Sequence, residues 1–413
     1  MLKRKEIRKA IGFTILMALV YCLGVNLTLP GIEVGNISSN GIFATLSLLS
    51  GGALEQMSLF SLGIGPYITA GIVVQLLSMD VIPALSEWKS EGNKGRKKTE
   101  KVTKYLTLIL AVIQAVALTY SFDKQYMILA SNRISDYLFI ATLMTAGSML
   151  LLYIAGCISK YGIGNGTSLI IFAGIVNGLP TTFRETWNIL VGQEALKNFA
   201  GLLKFSGFVL VYLLILTAVV FIETAQRKIP VQAINKTVRG MNQNNLPFKL
   251  NNAGVIPVIF AQAIITTPQV ILSLFNYEWY TKVSNLLDLR KPFGLTLYAA
   301  LILAFAFFYT HLQTDAKQVD EQLRKSNQFI PGIRAGKETV NYINKSLNRL
   351  TLVGGLLLVL LAVLPYILIM TTNLSTVSAL GGTSFILLVG IALETMKELQ
   401  TAATDYKYAG LIK

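Results

Sequence analysis

The 413 residues hold one histidine and two cysteines, and His311, Cys22 and Cys157 stand far apart. None makes a metal site. A lone His at the end of an apolar segment reads as an interface residue, and two distant Cys inside such segments read as small packing groups. Gly162-Ile163-Gly164-Asn165-Gly166 has the composition of a phosphate loop, but no Lys-Ser/Thr follows it and it opens an apolar segment, so a tight turn is expected. The residues therefore predict no catalytic group, no metal and no cofactor. Energy for any work must come from a partner or a gradient.

What repeats in the chain is a backbone feature. Two apolar segments are broken in the same way, at Gly63-Ile64-Gly65-Pro66 and at Gly254-Val255-Ile256-Pro257. Counted from the N-terminus these lie in the second and seventh of ten apolar segments, so each is the second of a five-segment half. A Gly/Pro interruption at matching places in two halves points to inverted repeats with a working site between them. A pore is the expectation, with Gly63, Pro66, Gly254 and Pro257 supplying irregular helix geometry beside it.

The elements that must position these breaks are membrane spans. Apolar residues make up 53% of the chain and charged residues 14%, against roughly a quarter charged in an ordinary soluble domain. A helix needs about 20 mostly apolar residues to cross a ~30 Å hydrocarbon core. Windows of that kind centre on 10–29, 62–79, 105–122, 137–158, 168–183, 203–222, 254–276, 294–312, 350–370 and 376–394. The spacing predicts an all-α polytopic protein of ten spans, with an N-terminal half over 1–183 and a C-terminal half over 184–413. The fifth window is short and is expected to end at Gly178-Leu179-Pro180.

Lys3, Arg4, Lys5, Arg8 and Lys9 precede the first span, whose apolar run is longer than the 7–15 residues of a signal peptide core. A retained first helix is expected. With the N-terminus inside, the inner segments hold 28 of the 36 Lys and Arg, which predicts both termini in the cytosol and accounts for most of the +15 net charge. An odd number of spans per half also gives the halves opposite orientations.

Ionisable residues mark coupled transporters. Here Glu223 and His311 sit at span ends and Glu55 lies outside the well-formed spans, so the middle of the bundle is expected to be aliphatic. This disfavours a secondary solute transporter, although neutral carbonyls at broken helices can hold Na⁺. The stretch 43–60 is too apolar for open water, while Ser50-Gly51-Gly52, Glu55 and Gln56 make it too short and polar to span. Two readings stand: a re-entrant segment entering the bundle from outside, or an amphipathic external loop. Two cytosolic loops, 224–252 and 313–349, are long and basic. Arg227 and Lys228 lie in the first, and in the second Pro331-Gly332 should present Arg334 at an exposed tip, with Lys337 beside it. They read either as inward-facing charge or as a docking surface for an acidic protein or for RNA.

Along nearly its whole length the chain resembles the SecY family. The resemblance is carried by Leu29-Pro30-Gly31-Ile32, Ser50-Gly51-Gly52-Ala53-Leu54, Leu62 to Ala70, Glu91-Gly92 with Gly95-Arg96-Lys97, and Gly162 to Gly166. It continues through Ile171 to Val176, Ala253 to Pro257, Phe329 to Arg334, Arg349 to Gly354 and Gly381 to Ser384. It implies a SecY-like clamshell whose two halves enclose an hourglass pore for unfolded polypeptide, with 43–60 as the plug and spans two and three facing seven and eight as a lateral gate. Carried over by position, the constriction becomes Ile64, Ile68, Thr167, Ile171, Ile259 and Leu387. A ring of flexible aliphatic side chains offers a moving chain no hydrogen bonds and excludes ions by dewetting when closed.

The implied partners are a SecA-type motor ATPase docking on the two basic loops around Arg334, Lys337, Arg227 and Lys228, small SecE-like and SecG-like membrane subunits or their equivalents, a preprotein substrate and membrane lipid. The implied location is the bacterial cytoplasmic membrane. Thr167 puts a hydroxyl where the family has an aliphatic arm, Ala335 stands where it usually has Pro, and the 224–252 loop is somewhat short. These departures make the chain similar to the accessory members of the family in Gram-positive bacteria, which implies export of serine-rich glycosylated adhesins. The alternatives are a housekeeping copy for general secretion and membrane insertion, with a ribosome as a further partner, or a secondary solute transporter.

Overall fold

Each of the ten apolar windows overlaps a helix in the computed structural model, which describes residues 2–32, 53–54, 56–79, 82–126, 133–192, 199–233, 244–272, 277–372 and 382–409. In chain order the helices of the first half are α1 (Leu2–Val25), α2 (Gly65–Leu77), α3 (Pro83–Ser90), α4 (Asn93–Tyr126), α5 (Ile134–Tyr161) and α6 (Gly166–Leu190). Then follow α7 (Phe199–Thr224), the strands β1 (Gln226–Ala233) and β2 (Asn244–Lys249), α8 (Ile256–Leu272), α9 (Tyr277–Leu287) and α10 (Pro292–Gln313). The chain ends with α11 (Ala316–Lys325), β3 (Gln328–Phe329), α12 (Lys337–Thr372) and α13 (Gly382–Ala409).

Among the described residues, α1, α4, α5, α6, α7, α10 and α12 are long and apolar enough to cross a membrane, whereas α2 and α8 are shorter apolar helices. The two short ones follow the two breaks. Gly63 takes φ +58° and Gly254 φ +65°, a left-handed conformation that only glycine adopts without strain. The helix cannot begin until the chain has passed it. Pro66 and Pro257 then fall in the first turn, where a missing N–H leaves no hydrogen bond unmade.

In the first half α2 packs on α4, α4 on α5, and α1 on α5 and α6; in the second, α8 and α12 flank α10, and α7 packs on α13. The halves meet where α2 and α4 touch α8 and where α6 touches α13. Association inside lipid depends on close van der Waals fit rather than on expulsion of water. Two glycines show how close the fit is. A Cβ at Gly147 on α5 would come 1.9 Å from the carbonyl oxygen of Leu59, and one at Gly354 on α12 would come 2.3 Å from that of Leu250.

Helix α6 does not stop at Gly178-Leu179-Pro180 as expected but runs through Pro180 to Leu190, past the 183/184 division of the halves. The hydroxyls of Thr181 and Thr182 donate to the carbonyl of Gly178 at 2.7 and 2.9 Å, just before the proline.

The two basic segments are not loops either. β1 pairs antiparallel with β2 through Gln226↔Lys249 to Val231↔Asn244, and β3 adds to the other edge at Gln232↔Phe329 and Ala233↔Gln328, in the order β2-β1-β3. Ile229, Val231 and Phe248 from the hairpin bury against Leu323, Ile330, Ile343 and Leu347 from the second segment. Thus 224–252 and 313–349 share one small core, and span nine begins at Lys337, well before its apolar window.

Candidate functional site

The two breaks lie at opposite ends of the seam between α2 and α8: Gly63 shares a cavity with Thr266, Thr267 and Val270 near the end of α8, and Ala253, beside Gly254, packs with Ile72 and Leu76 of α2. After Gly63 the first helical bonds are Tyr67 N–H and Ile68 N–H to the carbonyl of Ile64; after Gly254 they are Val258 N–H and Ile259 N–H to that of Val255. Ile68 and Ile259 therefore occupy the same place in their helices, five residues beyond the left-handed glycine. Ile64, Ile68 and Ile259 line one cavity of about 50 Å³, with Leu54, Leu118 and Val270 among its other apolar walls. A volume of that size holds about one or two waters, not a polypeptide.

Ile171 on α6 and Leu387 on α13, both buried, belong to one apolar cluster against which Ile68 and Ile259 pack. Five of the six expected constriction residues are thus brought together from α2, α6, α8 and α13. Thr167 lies one turn before Ile171 at the start of α6, and both its N–H (3.1 Å) and its hydroxyl (2.7 Å) donate to Oδ1 of Asn165. The hydroxyl is engaged in a helix cap.

Of the segment 43–60, residues 43–52 and 55 lie outside the described residues. The remainder is inside the bundle: Ala53, Leu54, Met57 and Phe60 are at most 2% exposed. Leu29 N–H bonds to Met57 O and Leu59 N–H to Leu27 O, Phe60 stacks on Tyr21, and the Ser61 hydroxyl bonds the carbonyls of Ala53 and Ser58.

The centre of the bundle is not purely aliphatic, which corrects the expectation from ionisable residues alone. Gln114, Gln262, Thr266 and Gln269 are buried, and the side-chain atoms of Gln262 and Gln269 have no hydrogen-bond partner among the described residues. The Thr69 and Thr267 hydroxyls lie 3.2 Å apart across the seam, and Tyr309 OH donates to Gln75 Oε1 at 2.5 Å between α10 and α2. A signal for these neutral polar groups exists in the sequence: each interrupts an otherwise apolar window.

At the C-terminal break, Asn251 donates from Nδ2 to Glu223 Oε1 (2.6 Å) and to the carbonyl of Gly254 (2.9 Å). A cavity of about 550 Å³ opens beside them, with Lys249, Glu394 and Lys397 on its wall. Partial burial and the neighbouring charge of Lys249 push the Lys397 ammonium below its usual range.

Arg334 stands exposed at a tip that is well tied down. Its carbonyl accepts from Thr339 Oγ1 (2.8 Å), its N–H meets Glu338 Oε2 (3.4 Å), and Gly336 N–H donates to Asp320 Oδ1 (3.0 Å). Asp320, 2% exposed, also takes Nη2 of Arg324 at 2.5 Å. Lys337, Arg227 and Lys228 are exposed. Arg227 and Lys228 lie on β1 at the end away from β3, roughly 13 Å along the strand from its pairing with Phe329.

The SecY family model matches residues 58–396. The chain is 39% identical over 418 residues to the protein translocase subunit SecY of Bacillus subtilis, covering 99% of this chain and 97% of that one. It is 37% identical to protein translocase subunit SecY 1 of Lactobacillus kefiranofaciens, covering 100% and 98%. Among solved structures, a SecY protein whose plug domain stabilises the closed state of its translocation channel and maintains a membrane seal matches with TM-score 0.67 at 19% identity, over 96% of this chain and 92% of that one.

Proposed function

The chain belongs to the SecY family, and from that membership we propose that it is the protein-conducting subunit of a Sec-type translocase in the bacterial cytoplasmic membrane, with both termini in the cytosol. The observation that carries the reading is the small cavity at which Ile64 and Ile68 of one half meet Ile259 of the other. Ile171 and Leu387 support the same ring from α6 and α13, and Thr167 enters it one turn below Ile171. The residues 1–183 and 184–413 act as two halves that part along α2 and α8, and the end of the 43–60 segment, through Leu54, stops the outer side when the channel rests.

Force comes from outside the chain. A SecA-type ATPase docks on the folded basic unit of β1, β2, β3 and α11, with Arg334 as the principal contact and Lys337, Arg227 and Lys228 as supporting charge. Small SecE-like and SecG-like subunits cover lipid-facing helices. A docked motor opens the pore only to the extent that it binds the open clamshell better than the closed one. Thr167, Ala335 and the short 224–252 segment support the accessory form of the system, exporting serine-rich glycosylated adhesins.

A photoreactive residue at Ile259 and another at Arg334, followed by mass spectrometry of what each captures in intact cells, tests this. Polypeptide in transit at Ile259 and a SecA-type ATPase at Arg334 are expected. Adhesin cargo identifies the accessory form, whereas general cargo or a ribosome at Arg334 identifies the housekeeping form. No polypeptide at Ile259 during active export overturns the channel reading.

A further inference from the structure

Both breaks are fastened by a glycine contact and a side-chain donor, the donor coming from α5 in the first half and from the break's own segment in the second. In the first half Gly147 of α5 admits the backbone of Leu59, and the next residue, Ser148, 3% exposed, donates its hydroxyl at 3.0 Å to the carbonyl of Gly63. In the second half Gly354 of α12 admits the backbone of Leu250. The residue after Leu250, Asn251, 4% exposed, donates to the carbonyl of Gly254 and to Glu223 at the end of α7. Helices α5 and α12 are the fourth and ninth spans, just as α2 and α8 are the second and seventh. The glycine contact recurs with the repeat.

The carbonyls concerned are the ones the helices leave out. Ile64 and Val255 accept the first helical bonds, so Gly63 and Gly254, one residue earlier, have carbonyls outside the helical ladder, Gly63 buried and Gly254 half-buried beside the larger cavity. A buried backbone acceptor without a partner costs more than an ordinary hydrogen bond contributes. A left-handed glycine is also the easiest point for a backbone to swing. A side-chain donor at each of these two carbonyls therefore fixes the direction in which the following helix leaves, and with it Ile64, Ile68 and Ile259.

We propose that Ser148 and the Asn251–Glu223 pair are positioning residues of the pore, holding the two breaks in the closed arrangement. The inference rests on the assignment of Ile64, Ile68 and Ile259 to the constriction. Removing either donor shifts the closed-to-open ratio about five-fold, the equivalent of one neutral hydrogen bond.

The test measures resting ion conductance in planar bilayers per quantity of folded full-length chain, purified with whatever subunits accompany it. Ser148→Ala and Asn251→Ala are expected to raise conductance about five-fold. Thr107→Val, which removes an equally buried hydroxyl bonded within its own helix, stays at the parent level. Ile259→Gly is expected to leak by widening the constriction itself. If Ile259→Gly leaks while both alanine variants match the parent, or if Thr107→Val leaks as much as they do, the positioning role is overturned and the pore assignment stands. If Ile259→Gly does not leak, the pore assignment fails and the inference with it. Where an alanine variant does not accumulate, Ser148→Cys and Asn251→Ser, closer in shape, carry the same comparison.

Discussion

The hydroxyls of Thr69 and Thr267 meet at 3.2 Å across the seam between α2 and α8, joining residues 198 positions apart. Nearby, Phe260 packs edge-on against both Phe305 and Tyr309, and Tyr309 reaches Gln75 on α2. In the proposed channel this seam is the gate through which apolar segments leave for lipid, so it must separate during transport. Cysteines at Thr69 and Thr267, joined by a short bifunctional thiol reagent, are expected to block passage of substrate while leaving resting conductance unchanged. Undiminished transport by the joined protein would show that the seam does not open.

Leu54 is 1% exposed and lines the cavity shared by Ile64, Ile68 and Ile259. Leu54→Ala removes packing on the outer side of the constriction at a cost of about 2–5 kcal/mol for a fully buried leucine. Because that cost falls on the closed arrangement, resting conductance should rise. A destabilised protein with unchanged conductance would make Leu54 a packing residue and nothing more.

The span pattern was legible because lipid enforces it: a chain that must satisfy every backbone group inside hydrocarbon forms helices, and the stretches of those helices that cross it are apolar. The G-x-x-P breaks were legible for a related reason, since Gly63 and Gly254 take a conformation that other residues avoid. The folded state of 224–252 and 313–349 was not. Alternation at Arg227-Lys228-Ile229-Pro230-Val231 is a strand signal, but its buried face meets Leu323, Ile343 and Leu347 about a hundred residues away, and only tertiary contact makes it a sheet. Ser148 and Asn251 were equally hidden. A serine in a span and an asparagine before a break have many uses, and their partners are backbone carbonyls that leave no mark in the sequence.

Thr167 is one turn from Ile171, so helical geometry puts it on the same face of α6. Its hydroxyl donates to Oδ1 of the N-cap Asn165, yet it remains the most polar member of the proposed ring. Thr167→Ile is expected to lower resting ion leak in a planar bilayer, because an aliphatic arm favours dewetting. The lost hydroxyl bond costs about 1 kcal/mol, while the backbone N–H of residue 167 keeps its contact with Asn165. Equal leak from the two proteins would remove Thr167 from the seal.

Asp320 is the residue on which the shape of the Arg334 tip depends. Its carboxylate is buried, with one oxygen on Gly336 N–H and the other on Arg324, and a carboxylate bonded in this way contributes more than a neutral group would. Arg334→Glu reverses the exposed charge and leaves this frame intact, so it should reduce motor-driven transport strongly while the chain stays as stable as the parent. Asp320→Ala keeps Arg334 but frees the backbone that presents it, so transport should fall together with local protection from proteolysis near Gly336. Adding salt weakens contacts between exposed charges within a Debye length of about 8–10 Å. The parent's motor binding should therefore weaken with salt, whereas what binding Arg334→Glu retains should respond less. A salt dependence identical in parent and Arg334→Glu would mean that the motor approaches by another surface.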